Sequence, residues 1–509
     1  MTWWPTANLH LPTSACKCFS LTPQPPPTAA SINPPILTPT RKQNVRHFTG
    51  AGASRSLTCS RAHGVILSSD EMATGNESRP QRPAVIIADS VRYRSSQILL
   101  LLLAICFVLQ VFSPLRLNND AITLLSMGES AAHGGGFLND GQKTYLPSGY
   151  PALLAVLLKV GFAHPWVIVG LNMVFLSVGL FAAYCVLSRE FFEDRTLILL
   201  ICSFSLLSYV VIKHSTIPLT DVPFFCCSMS CIAVMSRARR ADSNLGFAVL
   251  ASVAGLLAVA AMAVRTIGIA LFPPLIFVIV SSLQWGSLLK EFSIRTKLII
   301  VAVGVLVGGG ATLLLATTNY WGYLIGVAKD ANVPGLILQI LSDRLVEFGE
   351  LLGNFPTSKL PTKLHFMVPW MGLLLLVVVL LGLATKRKKI GPTEVFMVCY
   401  MGILFAWPCF DARYWLPVIP LLIAYTVLAV KSLRFPKAVI AVYCIAYATL
   451  GFGVIAYSSR ITFARSKFPD RYGDGNLRPT YCAAFQSCRD GGDPNKVDAK
   501  VLHLLREYK

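Results

Sequence analysis

Asp120, Asp221, Arg265, His365, Asp411 and Arg413 are the side chains of this 509-residue chain with the means to do chemistry. Each stands beside a long apolar run rather than inside one. A carboxylate next to a bilayer is costly, so one kept there is a functional candidate. Carboxylates and guanidiniums together suit a reaction on a phosphate-bearing lipid. Arg grips phosphate oxygens with paired donors. A carboxylate takes the proton from an attacking hydroxyl. A departing phosphate needs little protonation, so one base suffices and transfer is a single in-line displacement. Asp120 is the candidate base, with Asp221, Arg265 and Arg413 as candidate binding residues. Tyr150 and Tyr414 join them as flanking aromatics, and His365 and Glu347 by their placement alone.

The elements that must position these residues are membrane helices. The chain is 54% hydrophobic and only 14% charged, where a soluble protein carries about a quarter charged residues. Many runs reach the roughly 20 apolar residues that cross a bilayer. The alternating short strands of a barrel are absent. The fold class is therefore an all-α polytopic membrane protein. Spans are expected near 97–115, 165–187, 196–212, 222–236, 245–263, 267–283, 298–316, 366–384, 391–408, 413–430 and 437–457. That makes about eleven crossings, with 222–236 the weakest. The net charge of +20 reflects basic inside loops and anionic lipids, not a nucleic-acid partner. No Cys/His cluster has zinc spacing. Cysteines inside apolar runs, such as Cys202 and Cys231, serve as small hydrophobes.

Charge bias fixes the sides. The segment Pro147–Gly161 is too short for an ordinary crossing and reads as an interfacial helix opened by Pro147, Gly149 and Pro151. With that helix outside the count, Arg189/Arg195, Arg237/Arg239/Arg240, Lys290/Arg295/Lys297, Lys386–Lys389 and Lys431/Arg434/Lys437 all face the cytoplasm, as does the amino terminus. The candidate chemistry then shares the outer face. The segment 317–365 falls outside too. Its Leu336, Ile337, Ile340, Leu341, Leu345 and Phe348 have helical spacing, which suits an amphipathic helix on the membrane surface.

Residues 1–71 form a disordered or spurious extension, because 1–69 holds no Asp or Glu and is rich in Pro, Ser and Thr. A transit peptide has that composition, and so has sequence upstream of a start at Met72. Residues 72–96 read as a cytoplasmic tail, 97–458 as the transmembrane catalytic domain and 459–509 as an outward tail. Cys482 and Cys488 in that tail are equally compatible with a disulfide and with two thiols.

The order of motifs over roughly 95–460 resembles the GT-C superfamily of polyprenyl-phosphate-sugar-dependent glycosyltransferases. Within it the protein O-mannosyltransferases of family 39 and the lipid A aminoarabinose transferases are most similar. The motifs are Asn119-Asp120, Gly134–Gly136, Pro147-Ser-Gly-Tyr-Pro151, Thr220-Asp221, Arg265, and Arg413-Tyr414 followed by Pro417. The resemblance implies a GT-C-like bundle with a large first outer loop. It implies transfer of a sugar from a polyprenyl phosphate carrier to a glycan, lipid or protein hydroxyl, with inversion. A soluble glycosidase needs a second carboxyl group instead. Many members carry two adjacent acids in the first loop, whereas Asn119 stands here before Asp120. One carboxylate still serves as base, but divalent ions favour several oxygen ligands, so no metal and no cofactor are expected. The setting is an integral multi-pass membrane protein of the bacterial inner membrane, or of the endoplasmic reticulum, with its carboxyl terminus outside.

Ordinary roles compete for the same residues. Asp221 precedes Pro223 and an apolar run, so it is also placed to cap a helix. Arg265 is placed to snorkel, Arg413 to pair with Asp411, and the tyrosines to anchor the interface. For the whole chain the rivals are a transporter or lipid-carrier flippase, for which Gly308–Gly310 inside a span is the best sign, and a structural subunit whose acids no longer act.

Overall fold

The computed structural model describes residues 83–282, 333–464, 468–469, 477–486 and 496–508. By contacts the chain divides into two units, Met1–Ile86 and Ile87–Lys509, the second of which is the helical bundle. The expected extension 1–71, the span at 298–316 and Gly308–Gly310 lie outside the described residues.

The described chain is helical, and its only β pairing is an isolated bridge, Asn139 with Gln142. Helices run in the order α1 (Pro83–Leu109), α2 (Asn119–Ala132), α3 (Gly149–Lys159), α4 (Pro165–Glu190), α5 (Arg195–Leu206), α6 (Tyr209–Ser215), α7 (Asp221–Ala238), α8 (Asn244–Val264) and α9 (Phe272–Ser282). After the gap come α10 (Val333–Gly353), α11 (Met367–Thr385), α12 (Pro392–Phe405), α13 (Ile419–Leu433), α14 (Lys437–Phe463), α15 (Arg478–Phe485) and α16 (Ala499–Glu507). Among the described residues six helical stretches are long and apolar enough to cross a membrane: Ser90–Phe112, Pro165–Glu190, Asn244–Val264, Thr362–Thr385, Ala412–Leu433 and Lys437–Phe463. The pair α5 and α6, bent by 60°, makes up to seven.

The described residues therefore do not reach the expected eleven crossings, and the reason is local. The run at 196–212 breaks between Leu206 and Tyr209. The runs at 267–283 and 391–408 form short apolar helices, Thr266–Ser282 and Pro392–Phe405. The 222–236 run becomes α7, an 18-residue helix in which three serines and the charged ends Asp221 and Arg237 dilute the hydropathy. α7 packs between α4 and α8, so burial in the bundle takes the place of lipid contact. α3 is short, with 11 residues, as the interfacial reading requires.

The break in α5–α6 leaves backbone groups without helical partners, and Asn354 supplies them. Its Nδ2 donates to the Leu207 carbonyl at 3.0 Å and its Oδ1 accepts the Tyr209 N–H at 2.7 Å. An interrupted helix at membrane depth survives only where such groups are satisfied from within the protein. Asn172, fully buried in α4, clamps the other end of α6 by donating to the Ser215 and Ile217 carbonyls at 3.2 and 2.9 Å.

α10 departs from the surface helix expected for its apolar spacing. Ile337 and Leu338 are exposed at 61% and 69%, whereas Arg344 and Glu347 are fully buried and Glu350 is 5% exposed. The polar stripe faces inward and the apolar face outward, the reverse of a helix on a soluble core and the arrangement suited to lipid surroundings. α10 lies along α11, where Gly372 and Gly349 let the two backbones meet, Gly372 against the Leu345 carbonyl and Gly349 against that of Val368.

The bundle is polarised. At one end the α4, α7, α11, α12 and α13 termini meet in a basic cluster. There Glu190 accepts from Ser236 and Thr393, Lys386 pairs with Glu394 at 3.1 Å, and Lys431 sits over Phe192. The first turn of α7 lies at the other end, about 27 Å away at 1.5 Å per residue. Among the described residues, the basic loops around Arg189, Arg240, Lys386 and Lys431 thus gather together in space, while Lys290, Arg295 and Lys297 lie outside the described residues.

Candidate active site

Asp120 occupies the first turn of α2, where the helix terminus favours a negative charge. Asn118 provides the cap, its Oδ1 accepting the Ala121 N–H at 2.8 Å. The Asp120 carboxylate instead forms an ion pair with Arg413 and accepts a long hydrogen bond from the Tyr145 hydroxyl at 3.5 Å. Its side chain keeps 24% of its exposure, enough to meet a substrate.

Arg413 lies in a 3₁₀ stretch, Ala412–Val418, that opens into α13. Its Nε is 2.7 Å from Asp411 Oδ2, and its backbone N–H donates to Asp411 Oδ1 at 3.0 Å. The expected local pair with Asp411 thus forms, and the guanidinium reaches Asp120 as well. Partial burial works against the Asp411 carboxylate, but Arg413, His214, the Arg413 N–H and Lys213 outweigh it and hold its pKa below the usual carboxylate range.

Arg265 closes α8 with extended backbone and pairs with Asp221 Oδ1. Asp221 does not cap α7: Thr220 holds the cap position, and no side-chain cap bond forms. Asp221 is 1% exposed, and its Oδ2 is buried without a hydrogen-bond partner. Tyr414 joins the two pairs. Arg265 lies 4.8 Å and Arg413 5.5 Å from its ring centroid, within cation–π range. Asp120, Asp221, Arg265, Arg413 and Tyr414 therefore form one cluster drawn from α2, α7, the end of α8 and the start of α13.

Two expected residues lie apart from it. His365 bonds within its own loop, Nε2 to the Leu360 carbonyl at 3.1 Å. Tyr150 is 1% exposed and packs in the second apolar core with Leu124, Leu154 and Tyr508. It lies beneath α2, its hydroxyl buried without a partner and its pKa raised by burial. Its neighbour Gly149 has the sharper role. A Cβ there would meet the Ala263 carbonyl at 2.5 Å, so only glycine lets α3 abut the turn that carries Arg265.

Behind the cluster stands a buried support that spacing alone does not reveal. Glu347 Oε1 accepts the Asp411 N–H at 2.6 Å, and Oε2 accepts Trp415 Nε1 at 2.7 Å and Arg344 at 2.6 Å. Arg344 also donates to the Cys409 carbonyl. α10 thus grips the turn on both sides of Arg413. The sequence signal is Arg344, Glu347 and Glu350 at intervals of three on a helix with apolar neighbours; Trp415 carries no such signal. Among the described residues no group of His, Cys, Asp and Glu could hold a metal ion.

No protein-family model matches the chain, and no curated protein matches it. Among solved structures it is similar to ArnT from Cupriavidus metallidurans bound to undecaprenyl phosphate, with 14% identity and a TM-score of 0.40 over 80% of this chain and 69% of that one. The apo form of that protein gives 16% identity and 0.41, over 84% and 78% of the two chains. The archaeal oligosaccharyltransferase AglB from Archaeoglobus fulgidus, in complex with an inhibitory peptide and a dolichol-phosphate, gives 12% and 0.39, over 74% of this chain and 58% of that one.

Proposed function

We propose that this chain is an integral membrane glycosyltransferase that moves a sugar from a polyprenyl phosphate carrier to a hydroxyl acceptor at the non-cytosolic face, with inversion. The observation that supports this reading is the convergence of Asp120, Asp221, Arg265, Arg413 and Tyr414 at the end of the bundle opposite the basic loops. Facing acids alone would repel one another. Here they alternate with guanidiniums, as a site for a phosphate and a general base requires.

In the proposed reaction the donor phosphate competes with Asp120 for the Arg413 guanidinium. The released Asp120 carboxylate accepts the proton of the acceptor hydroxyl. That oxygen forms the new bond to the sugar carbon, and the bond to the carrier phosphate breaks with its electron pair kept on phosphate. Asp411 and Glu347 keep Arg413 in place, and Asp221 does the same for Arg265.

The test uses the full chain reconstituted in liposomes with a panel of polyprenyl phosphate sugars, and reads products by mass spectrometry. Transfer from at least one lipid-linked donor is the expected result. No transfer from any donor, together with proton- or sodium-coupled solute uptake, would replace the enzyme with a transporter.

A further inference from the structure

Every residue from Ser205 to Cys226 is buried except one, Lys213. A lone exposed lysine in so long a buried run marks an opening in the protein at that point. Its place is fixed. Lys213 stands on α6, held between the Asn354 and Asn172 clamps, with His214 Nδ1 2.8 Å from the Val210 carbonyl on the buried side. α6 packs against the 3₁₀ stretch that carries Arg413, and Lys213 is among the charges that hold the Asp411 pKa down.

The charges of the cluster make this lysine distinctive. Asp221 neutralises Arg265, and Asp120 and Asp411 share Arg413. Lys213 is the one cation of the cluster that, among the described residues, has no carboxylate within ion-pair distance. An arriving phosphate must displace a carboxylate to bind either arginine, but meets no competitor at Lys213. An ammonium with three donors on a flexible stem suits a phosphate as a point charge.

We propose that Lys213 is a phosphate-binding residue of this site and makes the first ionic contact with the anionic oxygens of the lipid-linked donor. The assignment rests on the glycosyltransferase reading for the identity of the lipid, and on the cluster geometry for the residue. Contact with Lys213 neutralises the phosphate before it reaches Arg413, which lowers the repulsion from Asp120 and Asp411 on approach.

The test is binding of sugar-free polyprenyl phosphate to the purified full chain in detergent, beside neutral polyprenol and inorganic phosphate. Lys213→Met is expected to weaken polyprenyl phosphate binding roughly tenfold, the loss of one charge-assisted contact. Lys213→Arg is expected to bind close to wild type, and polyprenol to be indifferent to both changes. A second readout needs no variant: polyprenyl phosphate should protect Lys213 of the wild-type chain from an amine-reactive ester, read by peptide mass spectrometry, where polyprenol does not. Wild-type preference for the phosphate with unchanged binding by Lys213→Met and no protection would overturn this assignment alone. Equal protection by inorganic phosphate at the same concentration would overturn the lipid headgroup as the occupant. A wild-type chain that does not distinguish polyprenyl phosphate from polyprenol would overturn this assignment and the proposed function together.

Discussion

Asp120 and Arg413 stand 293 positions apart and still form an ion pair. The sequence exposes both residues for one reason: a charge beside an apolar run is costly to keep. It does not show which charges meet, because pairing depends on how the helices pack. Asp221 illustrates the limit. Its position before Pro223 suits a cap, yet its carboxylate turns to Arg265. Lys213 looks in the sequence like any loop lysine, and only the burial of its neighbours sets it apart. Arg413 pairs with both carboxylates through two nitrogens of one planar group, which an ammonium cannot reproduce. Arg413→Lys is therefore expected to lower kcat/KM by roughly ten- to a hundredfold, consistent with about 1.5–3 kcal/mol for charge-assisted bonds. Steady-state kinetics with a lipid-linked donor measures it, and an unchanged kcat/KM would show that the forked contact is unimportant.

At the scale of elements, the apolar spacing of α10 correctly indicates a helix and misplaces it. Periodicity reports that one face is apolar, but not whether that face meets protein or lipid. Arg344, Glu347 and Glu350 decide the matter, because their stripe is buried, with Arg344 and Glu347 bonded to the turn carrying Arg413 and Glu350 accepting from the Tyr209 hydroxyl. The bend between α5 and α6 is equally hidden, since Asn354, which completes its backbone bonds, lies far along the chain. The contact of α10 with α11 depends on Gly372, where the helices approach too closely for a side chain. Gly372→Leu is expected to destabilise the protein by about 1–3 kcal/mol, the usual cost of overpacking, and to lower activity by shifting Glu347 away from Asp411. A thermal unfolding series in detergent checks the first effect. A melting temperature equal to wild type would argue against the close packing of α10 on α11.

At the scale of the whole molecule, the described basic loops lie at one end of the bundle and the acid–arginine cluster at the other. The carboxyl-terminal part adds an element that no motif announces. α16 packs on α2 through Val501, Leu504 and Leu505 in the second core, Lys500 reaches Asp140 at 2.7 Å, and His503 meets Glu129 at 2.5 Å. Cys482, on α15, is disulfide-bonded. The hydrogen bond and charge of Glu129 raise the His503 pKa. A raised folded-state value means that its stabilisation is complete below the ordinary histidine pKa of about 6.5 and is lost as pH rises through the folded value. The pair is exposed, so the effect is small and weakens with salt. The protection factor of residues 499–507, the intrinsic amide exchange rate divided by the observed one at each pH, is accordingly expected to fall from pH 5.5 to 8.5 (about one unit below the ordinary histidine value to two above it), and His503→Gln to remove that fall. Protection that rises with pH would contradict the assigned pair.

The proposed mechanism turns on Asp120 as the base. Asp120→Asn keeps a hydrogen-bond acceptor for Tyr145 and Arg413 but cannot take a proton. With a lipid-linked donor that the wild-type chain uses, kcat is expected to fall about 10²- to 10⁴-fold, the span of general-base catalysis, while the chain still binds sugar-free polyprenyl phosphate. A variant that transfers sugar at the wild-type rate would show that Asp120 is only the partner of Arg413 and that the proton goes elsewhere.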